Sequence, residues 1–399
     1  MQDLGIVGAG VGGLTLALAC RRAGLERIRI YEQREAPSHG SGHGIQLTPN
    51  ATRVLHALGL KDALHAIACQ SDAHNYRSHR TGYQIAMRPL GPFAESRYGA
   101  PFHQLLREDL IGLLAAALQE RGIGVLNGWR CTGISAADAQ VSLACADRDP
   151  QRHDLLVGCD GVNSLVKTFM HEEALPAFTG HVAWRGITPT DALPGEFNSR
   201  PVTTWLGPGR HLTQFPVRGG ELVAFTAIVE SSYAGPDSWY EPAEKAALIA
   251  AFDGWHPVIQ ALIEAAGDVH SWPLYDRAPL ARWTDGRVTL LGDACHPALP
   301  YLAQGAALAI EDAWVLARML ENWEEEIETA LSEYERFRRP RAARVQVRSR
   351  AEGETLHLRD RRQILWRNLR MALSSRYLPE IAMQRYDWLY GYDCVKGFH

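Results

Sequence analysis

The chain has 399 residues, 46% of them hydrophobic and 22% charged, with a formal net charge of −4 at pH 7. These figures fit a globular chain long enough for two domains, and they give no electrostatic reason to expect nucleic acid as a partner. No apolar run reaches the length of an integral membrane segment, the apolar start has no basic leader, and the seven cysteines show no C-x-x-C or metal-ligand spacing. The expectation is a cytoplasmic protein with free thiols, no signal peptide and no metal.

Residues 4–7 form a short apolar run that suits a strand buried on both faces. Gly8, Gly10 and Gly13 follow in G-x-G-x-x-G spacing, 14–23 reads as a helix closed by Gly24, and 28–31 is a second buried strand with Glu32 at its end. Gly8 permits the tight turn, Gly10 lets the backbone approach a pyrophosphate, and Gly13 lets the helix pack closely on the strand. The helix N-terminus offers N–H groups to the phosphates, and Glu32 is placed to accept from a ribose hydroxyl. A bare glycine motif would be weak evidence. Strand, helix and acid at the right distances make dinucleotide binding the reading, without choosing between NAD and FAD.

Residues 35–50 are rich in Gly, Ser and Pro and are predicted to be a loop near the cofactor. Asn50 or Thr48 is expected to cap a helix over 51–58 that ends at Gly59. The segment 76–99 reads as a hairpin outside the nucleotide fold, and 103–121 as a helix with Arg107 near its start. Short strands follow near 125, over 141–144 and over 155–157. The last runs into Asp160-Gly161, with Ser164 in the first turn of another helix and Lys167 beyond it.

Over 178–230 the texture changes to strands separated by Gly- and Pro-rich turns, an antiparallel sheet inserted into the first domain. Alternation along 210–217 puts His211, Thr213 and Phe215 on one face. Residues 241–266 read as one helix bent near Pro257. Over 286–320 the nucleotide fold resumes: a strand over 288–291, the turn Gly292-Asp293, a loop bent by Pro297 and Pro300, and a helix from Gly305 that carries Glu311 and Asp312. From 328 the chain is helical and basic. Its arginines, among them Arg338 and Arg341, read as a solvated face balancing Glu324, Glu325, Glu326 and Glu328, with a membrane- or acid-binding face as the alternative. The aromatic last twenty residues are expected to pack on the body.

Three motifs now stand in order: the glycine fingerprint at 8–13, GCDGVNSLVK at 158–167 and GDACHP at 292–297. In this the chain resembles the single-component, FAD-dependent aromatic hydroxylases (class A flavoprotein monooxygenases) over essentially its whole length. The stretches GIQLTPNA, GPGRHLTQFPV and AQGAALAIEDA are most similar to the group acting on salicylate, 3-hydroxybenzoate and 6-hydroxynicotinate. The resemblance implies an α/β fold: a Rossmann-like FAD-binding domain (1–75, 100–177 and 270–330), an inserted antiparallel-sheet substrate domain (76–99 and 178–269) and C-terminal helices (331–399).

It also implies roles, residue by residue. Gly8, Gly10, Gly13 and Glu32 would hold the ADP half of FAD, and Arg107 would reach the flavin's phosphate or ribityl side. Asp160 matches a motif tied to both FAD and NAD(P)H. Asp293 would hold a ribityl hydroxyl, while Pro297, Gln304 and Gly305 would lie against the isoalloxazine ring. Two departures stand out: Lys167 replaces the usual Arg, and Ala303 and Ala307 replace a Gly and an Asn. NADH or NADPH would be the co-substrate, O2 the oxidant, a flavin hydroperoxide the oxygen donor and a small aromatic phenol the acceptor. His211 is the candidate base, Tyr301 a candidate contact for the substrate's hydroxyl or carboxylate, and Phe215 and Gln46 candidate walls, with Arg185 a candidate cation for a carboxylate. The same chemistry on a quinone precursor, a urate-like purine or a polycyclic compound is the alternative, and a non-catalytic flavin-binding protein is a third. The assembly is left open, a homodimer included.

Overall fold

The computed structural model describes residues 3–35, 43–137, 139–171, 176–195, 200–232, 243–323 and 325–397. Segment 36–42 of the predicted loop, residues 241–242 of the predicted bent helix, and Glu324 lie outside them.

Asp3–Val7 is a strand with all its residues buried. It pairs in parallel with Arg27–Glu32 on one side and Leu155–Gly158 on the other. The full sheet runs Thr284–Asp285, Val288–Leu290, Leu155–Gly158, Asp3–Val7, Arg27–Glu32, Val125–Asn127, antiparallel only at its first pair. Helix Val11–Arg22 covers the face that carries Ile6, and the three-stranded sheet of Cys131–Ala137, Gln140–Cys145 and Arg148–His153 lies on the other, where His153 meets Gly5 and Tyr31. The strand order reverses at Asp3–Val7, so a crevice opens beyond its carboxyl end, where the glycine turn lies. Helix Val11–Arg22 leaves that turn, and Gly24 follows it at φ 93°. At Gly13 a Cβ would stand 2.1 Å from the Gly8 carbonyl oxygen, so the helix can begin this close to the strand only on glycine.

The second sheet runs His270–Asp276, Ala177–Pro189, Leu222–Glu230, Arg210–Val217, Val202–Gly207, Ala73–Ser78, Gln84–Pro89. It is antiparallel except where Ala73–Ser78 lies parallel to Val202–Gly207. Trp205, Leu212, Phe225 and Ala227 on one face pack under Leu248, Phe252, Ile259 and Leu262. The other face looks back toward the glycine turn and carries Thr204, His211, Thr213, Phe215 and Thr226. Period-two alternation puts the apolar set on the core side and the polar set on the cavity side.

Several expectations are corrected. Gly44–Leu47, predicted as loop, is a strand paired with His103–Leu106, which was predicted as the start of a helix. Each is too short to show a period until the partner is known. The helix itself begins at Arg107 and runs to Glu120. The predicted hairpin is present as Ala73–Ser78 and Gln84–Pro89, but Gly91–Tyr98 is helical. Helix Pro49–Ala57 has Thr48 at its N-cap position without a side-chain cap bond, and Asn50 is buried within the helix. The helix bent at Pro257 is two helices, Lys245–Ala251 and Pro257–Glu264, because proline suits a first turn and not an interior.

The largest correction concerns the basic helix Ile327–Leu356. Arg338 has a fully buried side chain, as do Glu311 and Asp312, and it pairs with both acids at 2.7 Å. Arg341 joins Glu311 at 2.7 Å. These two arginines neutralise acids of helix Gly305–Asn322, not the exposed Glu325, Glu326 and Glu328. The aromatic tail does pack on the body, with Tyr386 and Tyr390 buried. Among the described residues no helix is long and apolar enough to cross a membrane.

Candidate active site

One cavity of about 680 Å³ runs from the glycine turn to the inner face of the second sheet. At one end it is lined by Gly8, Gly10, Glu32, Arg107 and Asp160, in the middle by Asp293, Pro297, Gln304 and Gly305, and at the sheet by Gln46, His211, Phe215 and Tyr301. Of the residues given a cofactor, substrate or catalytic role from the sequence, only Gly13 is not on its wall, consistent with its place inside the strand–helix contact.

The dinucleotide end fits FAD on local grounds. Helix Val11–Arg22 has Gly10 as N-cap, no side-chain cap bond and no acid in its first turn, so its leading N–H groups are left for an anion. A Cβ on Gly10 would meet nothing nearer than Arg107 Nη2 at 3.8 Å, which puts a cation across an open turn. Glu32 is braced by Ala9 N–H at 3.1 Å. Asp160 Oδ2 accepts from Leu165 N–H at 2.8 Å, whereas its Oδ1 is buried without a partner. Burial pushes the Asp160 carboxyl up, against the hydrogen bonds from Ser164 and the backbone that draw it down. Lys167, in place of the usual Arg, donates from Nζ to the Val162 carbonyl at 3.0 Å.

The middle section is held by buried polar groups. Gly292 N–H and His296 Nε2 both reach Asp312 Oδ2, at 3.2 and 2.5 Å, so the turn bearing Asp293 hangs from the Arg338 network. Gln304 does not offer its amide to the cavity. Its Nε2 donates to Thr48 Oγ1 at 3.0 Å, and its Oε1 accepts from Asn50 at 3.1 Å. Asn50 in turn reaches Glu311 at 2.6 Å. Ala303 takes φ 52°, a left-handed conformation that costs an L-residue roughly 1–2 kcal/mol; the usual glycine here would have avoided it.

At the sheet, His211 Nδ1 lies 2.7 Å from His357 Nε2, which leaves Nε2 for the cavity. Burial, with smaller contributions from His181 and Arg367, lowers His211 to about 3. It is therefore a neutral imidazole near pH 7. The Tyr301 hydroxyl lies 3.2 Å from His181 Nδ1, and burial pushes its phenol up. Its ring fits because residue 353 is glycine: a Cβ there would come within 2.5 Å of Tyr301 Cε2. Gly44 makes the same allowance for Phe215, at 2.7 Å. Arg185 lies with its guanidinium 3.8 Å over the Trp272 ring. Sequence reasoning missed His357, which lies in the stretch read there as basic and helical, and missed Arg88 and His74, whose hairpin carries no recognisable motif.

Two predictions arise here. Gly13→Ala is expected to abolish the bound-flavin absorbance of the purified protein, because its Cβ would meet the Gly8 carbonyl and open the phosphate turn; a fully loaded yellow variant would show that the turn tolerates the shift. Stability is also expected to fall with acid in two stages. His211 (about 3), His103 (about 4) and His43 (about 2) are all lowered, chiefly by burial. The unfolded chain therefore binds protons that the native one refuses, from about pH 6.5 downward. Burial alone would raise Glu311 and Asp312, but Arg341 and Arg338 on Glu311, and His296 and Arg338 on Asp312, outweigh it and hold both low. Their contribution is full above about pH 4 and is lost below it. Urea midpoints measured from pH 8 to pH 2 check this; a flat profile between pH 6.5 and pH 5 would contradict the buried neutral histidines.

Comparison with known proteins agrees with this geometry. Residues 1–349 match the FAD binding domain family. The chain is 38% identical over 393 residues to the 3-amino-4-hydroxybenzoate 2-monooxygenase PtnB3 of Streptomyces platensis, covering 98% of this chain and 96% of that one. It is 39% identical over 346 residues to the 6-hydroxynicotinate 3-monooxygenase of Bordetella bronchiseptica, covering 86% and 89%. Among solved structures, Klebsiella pneumoniae HpxO complexed with FAD and uric acid superposes with a TM-score of 0.82 at 26% identity, over 93% of this chain and 92% of that one. With the dinucleotide turn, the Gly292-Asp293 turn and the facing sheet joined in one cavity, the chain belongs to the class A FAD-dependent aromatic monooxygenases, single-component NAD(P)H-dependent enzymes, in the group of the salicylate, 3-hydroxybenzoate and 6-hydroxynicotinate hydroxylases.

Proposed function

We propose that this enzyme hydroxylates a small phenolic or hydroxypyridine-type aromatic compound, using NAD(P)H and O2. The observation that carries the reading is the unbroken cavity, with the cofactor residues on one wall and His211, Thr213 and Phe215 on the other. FAD, when bound, supplies the two-electron exchange with NAD(P)H and the activation of O2. Gly8, Gly10, Glu32, Arg107 and Asp160 hold its nucleotide half, and Asp293, Pro297 and the 303–305 backbone its ring half.

The chain's own contribution is to orient the aromatic ring, exclude water and stabilise its phenolate. Phe215, in the apolar cluster with Phe102 and Leu302, gives the ring a dry wall. His211 acts on the ring oxygen. In the His211–His357 pair one N–H lies between the rings, and His357 Nδ1 is buried without a partner. A buried N–H without an acceptor is the rarer arrangement, so the favoured tautomer has His357 Nε2–H donating to His211 Nδ1. His211 then presents Nε2–H to the cavity. A donor there favours the phenolate over the phenol, and the phenolate is the more nucleophilic ring. The base expected from the sequence thus becomes a hydrogen-bond donor, because burial makes the imidazolium too costly. Tyr301 closes the site through its ring, its hydroxyl being engaged with His181.

The test is NADH and NADPH oxidation by the FAD-loaded protein against salicylate, hydroxybenzoates, 6-hydroxynicotinate, urate and quinone precursors, with H2O2 assayed in parallel. Stimulation without matching H2O2 identifies the substrate class. Stimulation only by urate or a quinone precursor, or by nothing, overturns the reading.

A further inference from the structure

The cavity extends past Phe215 to the far edge of the second sheet. There His74 and Arg88 are cross-strand partners on Ala73–Ser78 and Gln84–Pro89, and both line the space, with Tyr76, Thr204, Tyr386 and Tyr390 around them. Arg88 is half-buried and lines the cavity. Its guanidinium stands 4.6 Å from the Tyr386 ring centroid and 5.8 Å from that of Tyr390. Its Nη2 donates to His74 Nδ1 at 2.8 Å, and its Nε is buried without a partner. Among the described residues no carboxylate forms an ion pair with it. Glu352, the acid at this end of the cavity, is paired with Arg385 at 3.5 Å. Two cations thus face one acid, and a positive charge is left in excess where burial makes it expensive.

The hydrogen bonds around Arg88 have a direction. A guanidinium only donates, so His74 Nδ1 must accept and its Nε2–H donates to Thr204 Oγ1, at 2.8 Å. Thr204 and Thr213 share the next bond, also 2.8 Å. Thr213 is on the strand face that carries His211 and Phe215. A chain that begins at a cation favours donation at each later step, so this end of the cavity presents donors and a cation to whatever fills it. Beside these threonines the wall is apolar: Leu90, Phe102, Phe215 and Leu302 form one packed cluster with Tyr386 and Tyr390.

We propose that Arg88 binds the carboxylate of the substrate and thereby sets specificity, so that the compound hydroxylated is an aromatic acid. This rests on the function proposed above and narrows it. Arg88 lies in one row with His74, Val202 and Phe215, three strand spacings across the sheet from the strand of His211 and four residues along it, so the two backbones are roughly 20 Å apart, a distance spanned when both side chains extend toward a hydroxybenzoate-sized ring between them. Arg185, the cation singled out in the sequence, is separated from Arg88 by four intervening strands and is stacked on Trp272, so one small acid does not reach both.

The test uses the FAD-loaded enzyme and a matched pair of ligands, 3-hydroxybenzoate and 3-hydroxybenzamide, with binding read from the perturbation of the flavin spectrum. The unaltered enzyme is expected to prefer the acid by at least about tenfold. In Arg88→Gln the acid weakens by about 100-fold while the amide changes little, as expected when one partner of an enclosed charge pair is removed. A merely structural role would weaken both ligands alike and leave their ratio unchanged, which overturns the proposal. Should Arg88→Gln fail to fold, Arg88→Lys decides. It keeps the charge but loses the fork, so the ratio should fall by about fivefold or more; an unchanged ratio again overturns it. If neither ligand binds the unaltered enzyme and no aromatic compound stimulates NAD(P)H oxidation, the function itself falls. Stimulation by neutral phenols with no preference for acids removes Arg88 alone.

Discussion

Replacing His211 by Ala is expected to lower kcat/KM for the aromatic substrate by about 100-fold, the lower end of what a positioned proton donor or acceptor contributes. FAD loading is unchanged, since His211 touches no residue of the nucleotide turn. The loss follows from removing the N–H that the His211–His357 pair directs into the cavity. His211→Gln retains an amide donor and should lose less, about tenfold. The order of the two variants is the informative result. Equal losses in Ala and Gln would mean that His211 accepts the proton after all, and unchanged turnover in both would remove it from the chemistry. Coupling should be checked at the same time, because a ring held without its phenolate lets NAD(P)H oxidation end in H2O2.

Arg338→Met is expected to destabilise the protein by about 3–5 kcal/mol, the range found when one member of a buried ion pair is removed. Glu311 would then keep Arg341 as its ion-pair partner, and Asp312 its hydrogen bond with His296. The effect should reach the active site, because the same acids hold Gly292 N–H, His296 and, through Asn50, Gln304. A lower urea midpoint together with weaker FAD retention is the expected pair of results. A midpoint matching that of the unaltered protein would mean that the network relaxes around the loss.

What the sequence determined was what lies within one local unit. The strand, glycine turn and helix at 3–22 are contiguous, and each glycine answers a backbone demand that its immediate neighbours impose. Asp160 and Asp293 could be read for the same reason, each being an acid in the turn that follows a buried strand. Alternation along 210–217 sufficed to bring His211, Thr213 and Phe215 to one face. Strands Gly44–Leu47 and His103–Leu106 were misread because each is defined by the other, across more than fifty residues. Only the tertiary structure decided which charges are buried and what faces them. Arg338 looks like any other arginine of a basic helix until helix Gly305–Asn322 packs against it. His211 was read from its strand face alone; its burial, which lowers its affinity for a proton, and its contact with His357, 146 residues away, arise only on folding. Arg88 carried no signal at all, since a lone arginine in a hairpin is ordinarily solvated. The enclosure that makes it a cation in need of an anion comes from segments beyond residue 380, and electrostatics in a low dielectric depends on that enclosure, not on spacing along the chain.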